Sequence, residues 1–282
     1  MQTYILISFH IKGDNMAHII SFAIQKGGCG KTTSVVTTAH ALGELNKKVL
    51  VVDLDPQHNA SLILGKVSPY EQPRTVIDLF EKKDVNFSTC SVPSKCKNVD
   101  LISSHIDLFA IGEQFGPGNP KQIVGLKNKL DKAAMEHYDF VLIDCPPALG
   151  GPFLNNALVI SNYYVIPLES ESYFALKGVQ QFLEAVDVIK DTINPDLQLL
   201  GVLITMADMR TQVTKAMIEA IHKFFGENDV FKSIITRNTS INKAAMLNKT
   251  VIAFDSRMSG ASDYREFAKE LVEWLENRSN NS

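Results

Sequence analysis

Two lysines five positions apart, Lys26 and Lys31, enclose Gly27, Gly28, Cys29 and Gly30, and two hydroxyl residues, Thr32 and Thr33, follow at once. An apolar run (Ile19, Ile20, Phe22, Ala23, Ile24) leads into this stretch, and Val35, Val36, Ala39 and Leu42 continue it at helical spacing. A strand, a glycine turn and a helix start in that order gather backbone N–H groups and a positive helix end around one point. That is an anion cradle suited to phosphate. Three aspartates complete the set: Asp53 and Asp55 after Val49–Val52, and Asp144 after Phe140–Ile143. Carboxylates beside a phosphate site have a purpose when Mg²⁺ and a water must be placed.

The elements that must position these groups read as α/β. The runs before Asp53 and Asp144 are continuously apolar, as parallel strands covered on both faces should be. In such sheets ligands collect at the carboxyl ends of the strands, where all three aspartates fall. Asp53 and Asp55 are separated by one residue and would point the same way in an extended chain. Further strands are predicted at Val99–Ser103, Asn162–Glu169 and Leu199–Thr205. Helices are predicted at Thr75–Lys82, Lys121–His137, Ser172–Lys190, up to Phe225, and beyond Asn238 around Lys243. The expected architecture is a mostly parallel twisted sheet with helices on both faces.

The glycine stretch departs from the usual phosphate loop, G-x-x-x-x-G-K-[ST]: Gln25 stands where the first glycine belongs, and Lys26 has no counterpart. The pattern K-G-G-x-G-K-T-T resembles the deviant Walker A loop of the ParA/MinD superfamily of P-loop ATPases. Asp53-Leu54-Asp55-Pro56-Gln57 resembles that family's D-x-D-P-Q motif, and Asp144-Cys145-Pro146-Pro147 its Walker B segment. The likeness runs from about His18 to Leu275.

This resemblance implies ATP and Mg²⁺ as cofactors and Lys26–Thr33 as the nucleotide loop. Lys31 would serve the β- and γ-phosphates, and Thr32, Asp53 and Asp144 the metal. Asp55 would orient the attacking water. Lys26 would reach across an ATP-sandwich homodimer to the partner's phosphates. Within the superfamily, the ParA/Soj partition branch further implies non-specific double-stranded DNA as track and a ParB-type centromere-binding protein as partner. Arg210, Arg237 and Lys243 match its DNA-contact region. A cytoplasmic protein, nucleoid-associated when ATP-bound, is the corresponding location. The other branch is a MinD-like positioning ATPase on a membrane surface or protein cluster.

Composition bounds the choice. The chain has 282 residues, 45% apolar and 21% charged, and a net charge of −3, so attraction to nucleic acid must come from a local basic patch. The last helix sets Glu266, Glu270, Glu273 and Glu276 against Arg265, Lys269 and Arg278, a balance that anionic lipid would repel, so no membrane contact is expected. Cys29, Cys90, Cys96 and Cys145 are too few and too irregular for a disulfide framework, and Cys90 and Cys96 lack the setting of a shared iron–sulfur cluster. Residues 18–278 are expected to form a single ATPase domain, with a polar tail at 279–282. Residues 1–17 form an N-terminal extension, and a native start at Met16 is the preferred explanation of it over an extra edge strand.

Overall fold

The computed structural model describes residues 16–116, 118–170 and 174–279. The N-terminal extension before Met16 and the tail beyond Ser279 lie outside them. Eight strands form one sheet: β1 (His18–Phe22), β2 (Val49–Asp53), β3 (Val92–Pro93), β4 (Val99–Ile102), β5 (Phe140–Asp144), β6 (Tyr163–Glu169), β7 (Gln198–Ala207) and β8 (Val230–Thr236). Their order is β3-β4-β2-β5-β1-β6-β7-β8, and every pairing is parallel except that of β3 with β4. The chain winds outward from β1 to β2 and β4, then returns through β5 and continues past β1 to β6, β7 and β8. The residues after β1 therefore occupy the reversal point where open α/β sheets bind ligands.

Alternation of side chains divides the apolar residues into two cores. On one face Ile20, Phe22, Val49, Val51 and Leu142 pack under the helices Lys31–Glu44 and Ser259–Ser279. On the other Ile19, Leu50, Val52, Val141 and Ile143 pack under the helices Val76–Glu81, Pro152–Ile160 and Phe174–Thr192. Each aliphatic side chain buried this way contributes about 1.5–3 kcal/mol. Phe267 meets Phe22 edge-on at 6.5 Å between ring centroids and Phe231 at 4.9 Å, so the C-terminal helix locks onto both the centre and the edge of the sheet.

The β8 edge is closed by carboxylates. Glu270 accepts the backbone N–H groups of Lys232 (2.6 Å) and Ser233 (2.8 Å), and Asp263 accepts the backbone N–H (2.9 Å) and the hydroxyl (2.7 Å) of Thr236. Donors that would otherwise template another strand are thus satisfied within the chain.

The expected helix over Lys121–His137 is replaced by two short helices, Lys121–Val124 and Lys132–His137, with a 3₁₀ turn at Lys127–Lys129 between them. Side chains take over the helical hydrogen bonds. Asn156 accepts from Leu126 N (2.8 Å) and donates to Lys121 O (2.8 Å), and Asp131 caps the second helix by accepting from Ala134 N. Between the predicted helix at Thr75–Lys82 and β4 the structure adds the helix Phe87–Cys90 and the short edge strand β3.

Candidate nucleotide site

Three neighbouring strands end together. Register pairs Phe22 of β1 and Asp53 of β2 with Asp144 of β5, so the loop after β1 opens over both aspartates. Gly28 (φ 77°) and Gly30 (φ 85°) turn through left-handed conformations that favour glycine, and Gly30 caps the helix Lys31–Glu44. No side chain caps that helix start and its first turn carries no acid, which leaves its positive end for an external anion. A Cβ at Gly27 or Gly28 would have nothing within 4 Å, so the mouth of the loop is open.

The loop is fixed from below. Thr205 Oγ1 donates to Cys29 O (2.8 Å), and the Ser34 hydroxyl pairs with Tyr264 OH (3.1 Å) in a buried contact. Gln25, standing where the usual loop has glycine, lies against Gly178, where a Cβ would collide with its amide. Lys31 is 6% exposed and folds inward to donate to Lys26 O (2.8 Å). The Lys26 side chain is 36% exposed and turned the other way, its Nζ held 2.5 Å from Glu169 Oε2 at the end of β6.

The aspartates divide into distinct environments. Asp144 is fully buried, and neither carboxylate oxygen has a hydrogen-bond partner among the described residues. Its pKa is pushed well above the usual carboxylate range, first by burial and then by Asp53, with Thr32 and Lys31 acting against the rise. Asp53, equally buried, is occupied: Oδ2 accepts from Ser61 N (2.8 Å) and Ser61 Oγ (2.7 Å), and Oδ1 from Asp55 N (3.1 Å). Burial raises its pKa to about 7 despite those bonds. Asp55 does not continue an extended chain beside Asp53. The strand ends at Asp53, the backbone of Asp55 turns back onto the Asp53 carboxylate, and the Asp55 side chain accepts from Gln57 N (2.9 Å). Its pKa is raised by burial, opposed by Gln57 N–H and then by the Lys31 charge.

Among the described residues no three His, Cys, Asp or Glu side chains are grouped to hold a metal by themselves. Magnesium does not demand such a cage, since it is commonly bound by one or two carboxylates together with phosphates and water. The unpartnered oxygens of Asp144, next to Thr32, fit that role, whereas Asp53 has most of its accepting capacity already used. All four cysteines are buried and unpaired in disulfides.

Arg210 follows β7 and is gripped by Asp208 through Nε (2.8 Å) and Nη2 (2.7 Å), although 89% of its side chain is exposed. This bidentate pair draws the Asp208 pKa down to about 2, and Arg237 adds to the effect. Arg237, after β8, is joined to the end of β7 through its N–H to Ala207 O (3.0 Å). Lys243 is exposed one turn along the helix Thr239–Met246. The fold thus brings the two arginines to one rim. Glu169, Thr205, Ser61 and Tyr264 support the site without belonging to the quoted motifs; Glu169 and Thr205 stand at the ends of predicted strands, whereas Ser61 carried no sequence signal.

Comparison with known proteins finds relatives over most of the chain. The family model AAA_31, described as an AAA domain, matches residues 17–199. The sporulation initiation inhibitor protein Soj of Bacillus subtilis is 37% identical over 257 residues, covering 91% of this chain and 99% of that protein. The chromosome partitioning protein ParA of Myxococcus xanthus is 31% identical over 259 residues, covering 91% of this chain and 88% of that one. A Mycobacterium smegmatis protein described as cobyrinic acid a,c-diamide synthase, solved with ADP and magnesium, superposes with a TM-score of 0.76 at 32% identity, covering 93% of this chain and 96% of that one.

Proposed function

The chain belongs to the ParA/Soj family of partition ATPases, and on that premise we propose that it is an ATP-dependent dimerising switch that binds DNA without sequence preference and is reset by a ParB-type partner. It hydrolyses ATP with Mg²⁺. The observation that carries the dimer reading is the division between the two lysines of one loop. Lys31 is buried within its own loop, whereas Lys26 leans outward onto Glu169. A half-exposed lysine held by a carboxylate at the end of β6, outside its own loop, supports the reading that it serves a second subunit.

In this reading Gly27–Thr33 offers N–H groups and the helix end to the phosphates, and Lys31 adds a charge already desolvated. Thr32 and Asp144 would hold Mg²⁺, which supplies neutralisation of phosphate charge. Asp53 shapes the turn that carries Asp55, and Asp55 orients water. Lys26 must exchange Glu169 for the partner's phosphates, so a lone subunit lacks one cation of the complete site. Positive charge from across the interface then stabilises the transition state, as an arginine finger does elsewhere.

DNA contact falls to Arg210, Arg237 and Lys243, whose doubling in a dimer would strengthen binding by bivalency. The test of the nucleotide half uses three variants. Lys31→Ala is expected to lose nucleotide binding, Lys26→Ala to bind ATP without turning it over, and Asp55→Ala to retain ATP and accumulate as dimer. Normal turnover by Lys26→Ala would remove the role in trans.

A further inference from the structure

We propose that Ser61, which lies outside the quoted phosphate and magnesium motifs, is a positioning residue for hydrolysis: it fixes the Asp53 carboxylate and through it the turn that aims Asp55. The inference rests on the reading of Asp55 as the group that orients water.

Ser61 lies in the short helix Asn59–Leu64 and is 1% exposed. Its backbone N–H and its hydroxyl both donate to the same oxygen, Asp53 Oδ2, at 2.8 and 2.7 Å. The same hydroxyl accepts from Ser104 N (2.8 Å), beyond the end of β4. Because Ser104 N can only donate, the Ser61 proton is directed to Asp53, and the direction of each bond is fixed. The other Asp53 oxygen is then the one that receives Asp55 N at 3.1 Å. Three separate segments, the ends of β2 and β4 and the helix between them, are joined at this one hydroxyl.

The backbone around it is held to the same purpose. His58, immediately before the helix, takes a left-handed conformation (φ 45°), donates its N–H to Asp55 O (2.8 Å), and accepts from Leu62 N (3.0 Å). The helix that carries Ser61 therefore starts directly from the Asp55 turn. Removal of the hydroxyl would leave Asp53 with one of its two Ser61 bonds and leave Ser104 N–H buried without its acceptor. The carboxylate could rotate, and the Asp55 turn would lose its fixed anchor. Nucleotide contacts made by the glycine loop would be untouched.

The experiment compares Ser61→Ala and Ser61→Thr in the full chain with ATP and Mg²⁺, measuring the affinity for a fluorescent ATP analogue, and kcat and KM separately. Ser61→Ala is expected to bind nucleotide within about threefold of the wild type and to lose about 10–100-fold in kcat, the range for groups that orient a metal-site carboxylate. Ser61→Thr, which keeps the hydroxyl, is expected to restore kcat to within about threefold. Unchanged kcat in Ser61→Ala, or equal losses in both variants, would overturn the proposal. Should Ser61→Ala not fold, Ser61→Cys carries the test, since a thiol keeps the volume but donates weakly; full kcat there would overturn it. Asp55→Ala separates the two readings. If it hydrolyses ATP normally, the underlying role of Asp55 fails; if it stops turnover while Ser61→Ala does not, only the Ser61 inference fails.

Discussion

Asp53 and Asp144 close adjacent strands in register, and both are fully buried. Two negative charges there are costly, which is why burial raises both pKa values, that of Asp53 to about 7. A carboxylate whose folded pKa exceeds its unfolded value of about 3.9 holds its proton more tightly when folded. Its contribution to stability is complete below about pH 4 and is lost as pH rises through about 7. The melting temperature of nucleotide- and metal-free protein is therefore expected to fall between about pH 5.5 and 7.5, and Asp53→Asn to flatten that fall. A melting temperature that climbs over the same interval would contradict this electrostatic account. At this scale the sequence was informative about which residues matter and less so about their partners. Lys31 follows a glycine turn and Asp144 ends an apolar run, and both features are plain in the sequence. The Ser61 bonds to Asp53 join positions eight apart across a turn whose left-handed residue is a histidine, and the Glu169 bond to Lys26 joins positions 143 apart. Neither pairing has a periodicity to betray it.

Strands were legible because each central one is a short run of aliphatic residues covered on both faces. The break in the expected 121–137 helix was not, since the side chain that interrupts it, Asn156, belongs to another helix. The closure of the sheet edge was equally hidden. Glu270 sits among four glutamates of the last helix and reads as a solvated charge, yet it is 9% exposed and accepts two consecutive backbone N–H groups of β8. Glu270→Ala would strand both donors, at a cost of about 1–3 kcal/mol for each one left without water. A loss of roughly 2–4 °C in melting temperature per kcal/mol is the expected scale for a chain of this size. Light scattering should report increased self-association as well, because the edge would be open to another strand. A variant as stable and as monodisperse as the wild type would show that these bonds matter little.

For the whole molecule the sheet reversal places the nucleotide loop at the centre, with the arginine rim at the ends of β7 and β8 on the same side of the sheet. Thr205 links the two regions, since it lies in β7 and pins the loop at Cys29. The rim is not simply basic: Asp208 holds Arg210 and is influenced by Arg237, so its charge is partly cancelled within one subunit. Under the proposed DNA contact, weak affinity is expected for the single subunit and stronger affinity for the pair, from that cancellation combined with bivalency. The measurement that tests this most directly is fluorescence anisotropy of a random-sequence duplex titrated with protein in ATP, in ADP and without nucleotide, over a salt series. Binding that is tight only with ATP, falls steeply with salt and is weakened by Arg210→Glu or Arg237→Glu is the predicted result. ATP-dependent dimers that leave the duplex free at every salt concentration would contradict it.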